Sequence, residues 1–243
     1  MIERMSPRIA LALLPLGLLA GGCATTGGAQ PVARDPIEPV NRAIFAFNDK
    51  ADAWVVKPVA QTYVKVVPEA MRMVVGNIIS NVGDLWIAAN QLLQGKPADA
   101  ASDLFRFTVN STLGFAGMAD LASPMGFEKH REDFGQTLGR WGLASGPYLV
   151  LPIFGPSSAR DGLGFALDMA ADPVRQVETE GFSNNLRLTR AIDQRASLLT
   201  AGRVVEGAAL DKYSFVRDGY LQRRRNQVWD GDPPPEPAET ESK

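Results

Sequence analysis

His130 is the single histidine and Cys23 the single cysteine of the 243 residues, so imidazole or thiol chemistry has to start from them. His130 lies in Glu128-Lys129-His130-Arg131-Glu132-Asp133, where a carboxylate beside an imidazole could move a proton. The same run reads equally as a solvated, charged turn. With no second histidine and no spare cysteine, an imidazole or thiolate zinc site cannot be assembled. No G-x-S-x-G elbow presents a serine, and neither phosphate-cradling glycine motif occurs. His130, Glu132 and Asp133 are therefore the only candidates for a hydrolase. No catalytic residue, metal or cofactor is assigned.

Cys23 points to different chemistry. Arg4 and Arg8 form a basic start, Ile9 to Ala20 an apolar run of secretory length, and Ala20-Gly21-Gly22 a small-residue cleavage site. A cysteine directly after such a site is where a bacterial lipoprotein is cut and acylated. Ala20 stands three places before Cys23, where Leu is usual, and Leu19 is one place further out. Ala24, not Asp, follows the cysteine, which favours delivery to an outer membrane. Residues 1–22 are read as the signal and 23–34 as a Gly/Thr/Ala/Pro tether. The span 35–229 forms the body, and 230–243 a disordered, acidic, proline-rich tail. The formal net charge is −2, without the basic excess expected of a nucleic-acid protein.

The most unusual stretch runs from Trp141 to Ala159, nineteen uncharged residues between Arg140 and Arg160. Its length suits a membrane span. Its composition does not, because Pro147, Pro152 and Pro156 remove backbone donors and Gly142, Gly146 and Gly155 favour bends. Irregular backbone survives in lipid only where protein or a wet cavity covers it. The stretch is expected to be an apolar hairpin or loop held in a helical body.

Elsewhere the periodicity is helical, and no alternating run of strand length appears. Val40, Ile44, Phe47, Ala51 and Trp54 form a stripe that ends at Lys57-Pro58, and a short helix then carries Val59, Tyr63 and Val66. From Glu69 to Leu93 the positions Met71, Val74, Ile78, Val82, Leu85, Ala89 and Leu92 keep helical spacing, with Gly76 and Gly83 as points of division. Pro97 opens a helix expected to turn Ala101, Leu104, Phe105, Thr108 and Thr112 inward. Gly135 and Gly139, four apart, could admit a second backbone. Ser157 is the expected cap of a helix bearing Leu163, Ala166, Leu167 and Ala170. Further helices are expected near Leu186–Leu199 and Leu210–Val228. Arg223-Arg224-Arg225 closes the last one, either as a solvated end that complements the helix dipole or as a contact to anionic headgroups. The fold class is all-α, in one domain.

These motifs together resemble the MlaA (VacJ) lipoproteins. The resemblance is carried by Asp35-Pro36-Ile37-Glu38-Pro39-Val40-Asn41-Arg42 with Phe45, Phe47 and Asn48. It continues through Lys57 to Ala60, Phe107 to Gly114, Asp133 to Asp161, Arg195 to Leu199 and Tyr213 to Arg223. It implies a helical ring in the inner leaflet of the outer membrane of a Gram-negative bacterium, with an amphipathic channel. It also implies association with trimeric porins and transfer of mislocalised phospholipids from the outer leaflet to a soluble periplasmic carrier. Asn41, Arg42, Phe47, Asn48, Gly135, Gly139, Arg160 and Asp161 would be structural motif positions.

The residues suit such a conduit. Leu149, Val150, Leu151, Ile153 and Phe154 could face acyl chains, while Ser145, Tyr148 and backbone groups freed at the prolines could face a headgroup. Acyl chains on Cys23 and apolar helix faces together would make attachment stable. The alternative is a scaffolding lipoprotein that binds a porin and moves no lipid.

Overall fold

The computed structural model describes residues 35–173 and 180–235. Cys23, the expected signal and the tether lie outside the described residues, as does the tail beyond 235. The described elements are α1 (Glu38–Ala51), a π-helical turn (Asp52–Val56), α2 (Lys57–Val66), α3 (Glu69–Leu93) and α4 (Pro97–Thr112). They continue with α5 (Phe134–Arg140), β1 (Tyr148–Leu151), β2 (Gly155–Ser158), α6 (Ala159–Ala171), α7 (Glu180–Ser197), α8 (Leu199–Ala208) and α9 (Lys212–Val228).

Local chemistry sets the helix starts. Pro39, Pro58 and Pro97 sit in the first turns of α1, α2 and α4, where a missing N–H costs nothing. Asp133, Ser158 and Asp211 cap α5, α6 and α9 by accepting from backbone N–H groups of the first turn; for α6 the cap is Ser158, one residue after the expected Ser157. The chain does not end its helix at Lys57-Pro58. It stays helical through the π turn, whose wider winding absorbs the proline's missing donor. Nor do Gly76 and Gly83 divide α3, which runs 25 residues unbroken.

The paired helices α3 and α4 are inside out. On α4 the buried residues are Ala100, Asp103, Arg106, Val109 and Asn110, while Ala101, Leu104, Phe105, Thr108 and Thr112, expected inward, are exposed. On α3 the buried set is Ile79, Asn81, Asp84, Ala88, Asn90 and Gln91, and none of the seven stripe residues is buried. The α6 stripe also points outward, with Leu163 57% exposed, whereas the stripe that begins on α1 is divided: Val40, Phe47 and Trp54 are exposed and Ile44 packs inward. Periodicity locates a face but not the solvent beyond it. Polar groups that pair with one another turn inward when the surroundings are themselves apolar. Among the described residues no helix is long and apolar enough to cross a membrane.

Asp230 to Pro235, expected as the start of a free tail, are mostly exposed but are tied to the body at two points. Asp230 accepts from Lys96 at 2.5 Å and faces Arg140 at 3.9 Å, and Arg225 donates to the Pro234 carbonyl. Opposite charge on two neighbouring elements holds this segment.

Candidate functional site

The uncharged stretch forms an antiparallel hairpin, with Tyr148 opposite Ser158 and Leu151 opposite Gly155. Sequence reading anticipated a hairpin but not strands, because four residues interrupted by glycine and proline show no alternation. Gly142, Gly146 and Gly155 all take positive φ, and so does Ile153 at φ 71, a conformation a β-branched residue rarely adopts. Pro156 stands opposite Val150, whose N–H points away from β2. At such a position the proline's missing donor leaves no bond unmade.

The outer edge of β1 is closed by two asparagines. Asn41 donates to the Tyr148 carbonyl at 3.0 Å and accepts from the Val150 N–H at 2.9 Å. Seven residues on, on the same face of α1, Asn48 donates to the Leu151 carbonyl at 2.9 Å and accepts from the Ile153 N–H at 2.7 Å. A carboxamide carries one donor end and one acceptor end, so each side chain satisfies one carbonyl and one N–H, as a neighbouring strand would. Asp35 orients Asn41 by accepting a second bond at 2.7 Å. The Asn41→Leu variant leaves a buried carbonyl and N–H unpaired and is expected to lose about 2 kcal/mol or more of stability, read from chemical unfolding in detergent. Asn48→Leu, nearer the exposed tip, should lose less.

The two faces of β1 have different surroundings. Tyr148 and Val150 are buried against Tyr213, Tyr220, Ile44, Phe45 and Leu221, with Tyr148 edge-on to Tyr213 at 6.2 Å and to Tyr220 at 6.1 Å. Burial pushes the Tyr148 hydroxyl up to about 12. This corrects the expectation that Tyr148 faces a headgroup: it is a core residue, and the backbone groups of its strand are taken by Asn41 and Asn48. Leu149 and Leu151 are half-buried on the opposite face, and at the tip Ile153 is 77% and Phe154 60% exposed. Of the apolar residues expected to face acyl chains, Val150 is buried with Tyr148, while Leu149, Leu151, Ile153 and Phe154 remain accessible at the surface. The Phe154 ring rests 4.8 Å from Phe165 of α6.

The base of the hairpin is fixed by a buried charge hub. Ser158 caps α6 by accepting from the Asp161 N–H at 3.1 Å. Asp161 receives Arg160 at 2.9 Å, the Tyr220 hydroxyl at 2.7 Å, and Arg224 at 3.0 and 2.9 Å. Arg224 also donates to Asp133 at 2.6 and 2.9 Å, so one guanidinium joins α9 to the starts of α5 and α6. Neither expected role of the arginine run describes Arg224, which points inward. The Arg224 and Tyr220 donors hold the Asp161 carboxyl far below the ordinary carboxylate range, despite burial, which acts the other way. A depressed carboxylate stabilises the fold fully above its unfolded value, about 4, and loses that contribution as pH falls toward the folded value. Stability measured against pH is expected to fall below about pH 4, with a shallower slope in Asp161→Asn.

Small residues bring the hub together. A Cβ on Gly164 would stand 2.4 Å from the Gly135 nitrogen, and one on Gly135 would meet Arg224 Nη2 at 2.7 Å and Asp161 Oδ1 at 2.8 Å. Gly139 faces Val228 and Arg160. Of the expected motif positions, Asn41, Asn48, Gly135, Gly139, Arg160 and Asp161 thus converge around the hairpin. Arg42 sits beside them, paired with Glu38 at 2.7 Å and Asp211 at 2.6 Å, with its guanidinium 4.3 Å above the Tyr213 ring. Phe47 is 56% exposed and faces away from the cluster.

The hydrolase candidates have structural partners. His130 Nδ1 lies 2.8 Å from Asp103, Glu132 binds Lys96 at 3.1 Å and Gln94 at 2.9 Å, and Asp133 caps α5 while holding Arg224. The charged run is therefore divided: Glu128 and Arg131 are exposed, while Lys129, His130, Glu132 and Asp133 pair with the body.

A family model for MlaA lipoproteins matches residues 33–227. The chain belongs to the MlaA lipoprotein family. It is 34% identical to the intermembrane phospholipid transport system lipoprotein MlaA of Shigella flexneri over 221 residues, covering 89% of this chain and 87% of that protein. Against the MlaA of Escherichia coli K12 it is 34% identical over 223 residues, with the same coverage. Against that of Haemophilus influenzae the identity is 28% over 233 residues, 93% of each. A solved structure concerned with the structural basis for maintenance of bacterial outer membrane lipid asymmetry superimposes with a TM-score of 0.70 at 31% identity. That match covers 80% of this chain and 98% of the solved one. The MlaA match spans both the asparagine clamp and the charge hub.

Proposed function

We propose that this chain is an acylated outer-membrane lipoprotein that withdraws mislocalised glycerophospholipids from the outer leaflet and passes them to a soluble periplasmic carrier, preserving lipid asymmetry. The observation that carries the reading is the inversion of α3 and α4, in a chain whose MlaA relatives are named for intermembrane phospholipid transport. A body that turns Leu, Phe and Trp outward and pairs Asp, Arg and Asn inside suits acyl chains as its solvent. A phospholipid needs both kinds of wall. The amphipathic channel, the trimeric porin partner and the attachment of acyl chains at Cys23 belong to the same proposal. Moving a lipid makes and breaks no covalent bond, so the role is transport and not catalysis.

Two measurements test it. Deleting the protein from its Gram-negative host should let phospholipid accumulate in the outer leaflet; an unchanged outer leaflet rejects the transport role. Pairing Phe154→Cys with Phe165→Cys ties the hairpin tip to α6 by an oxidisable link, and Cys23 is the only native cysteine. Oxidation should suppress lipid transfer and reduction restore it. Full transfer in the oxidised variant would mean that the hairpin does not move. A chain that only scaffolds a porin would be indifferent to both.

A further inference from the structure

Of the buried side-chain polar atoms without a hydrogen-bond partner among the described residues, all but the Tyr148 hydroxyl belong to α3, its cap Gln94, or α4. Three of them converge. Arg106 Nε lies 3.9 Å from Asp84 Oδ2 and 4.0 Å from Asp103 Oδ1, and the three residues are at most 2% exposed. Every other polar atom of these side chains is engaged. Asp84 Oδ1 accepts from Lys129, and Asp103 Oδ2 is bonded to His130. Arg106 Nη1 donates to Ser123 and to the Phe127 carbonyl, and its Nη2 to Asp120 at 3.0 Å.

The separations are too long for direct hydrogen bonds, and leaving three such atoms unmade would cost several kcal/mol. They are short enough for one small bridging molecule. The site offers one N–H donor and two carboxylate acceptors. A molecule that satisfies all three must accept one bond and donate two. A water molecule does so, and a buried water typically makes about three such bonds. A metal cation would be repelled by the guanidinium, and an anion by the two carboxylates.

We infer that a single ordered water bridges Asp84, Arg106 and Asp103, forming an internal binding site that joins α3 to α4. The site also reaches the 128–133 junction, because Lys129 and His130 hold the outer oxygens of the same two carboxylates. The bridge fixes both helices to that segment from inside and is independent of the transport reading.

Full-length protein in detergent micelles, labelled with ¹⁵N at arginine, provides the test. The Arg106 Nε–H resonance, assigned by its loss in Arg106→Lys, should exchange slowly and show a direct dipolar cross-peak to a long-lived water. A slowly exchanging Nε–H without that cross-peak would overturn the inference. A crystal structure with ordered solvent gives a second, independent reading. Density within hydrogen-bond reach of Arg106 Nε, Asp84 Oδ2 and Asp103 Oδ1 together supports the bridge. Direct contact of the guanidinium Nε with either carboxylate, or density belonging to a lipid headgroup, overturns it.

Discussion

Arg224→Met is expected to cost about 3–5 kcal/mol of stability, the cost typical of leaving buried charge without its partner. The guanidinium makes five bonds, to Asp133, Asp161 and Gln227, and is 7% exposed. Removing it leaves two carboxylates facing one another beneath α9 and frees the base of the hairpin. Arg224→Lys should recover only a small part, since an ammonium cannot present the planar fork that spans two carboxylates. Chemical unfolding in detergent reads the loss, and Gln222→Met, two residues away and exposed, serves as the control within about 0.5 kcal/mol. Equal effects at the two positions would show that the hub does not hold the fold.

Gly164→Ala is expected to destabilise by about 3 kcal/mol, at the upper end for overpacking. The new methyl would stand 2.4 Å from the Gly135 nitrogen, 2.6 Å from its Cα and 3.0 Å from the Phe134 carbonyl carbon. Backbone cannot rotate aside as a side chain can, so α5 and α6 must separate and carry Asp133 and Asp161 apart. Gly162→Ala, two residues earlier in α6, places its methyl 3.7 Å from Ser157 Oγ, an ordinary contact. There alanine should stabilise by about 0.5–1 kcal/mol through helix propensity. Opposite signs at Gly162 and Gly164 in thermal unfolding separate close packing from propensity.

Much of this architecture was legible in the chain. The spacing from Glu69 to Leu93 and the proline at 97 marked α3 and α4 at their observed ends, and the Gly/Pro run marked the hairpin. The direction of the stripes was not legible from apolar residues alone. A signal was present in the polar ones, because Asn81, Asp84, Gln91 and Asp103, Arg106, Asn110 recur at helical intervals as regular as the apolar set. Two interleaved ordered faces indicate that both are packed against something. The hub escaped for another reason: Arg224 meets partners 63 and 91 residues away, and no local pattern encodes that pairing. Asn41 and Asn48 were visible only as members of a motif, and their shared role needs the position of β1.

The asparagine clamp bears on how such chains behave when crowded. A bare strand rim in an oily surrounding invites the same rim of a neighbour, and stacking of that kind propagates without limit. Here both bonding positions on the rim are already filled from within the molecule, by side chains that cannot pass the pattern on. Many copies can therefore share one membrane without pairing along the β1 rim.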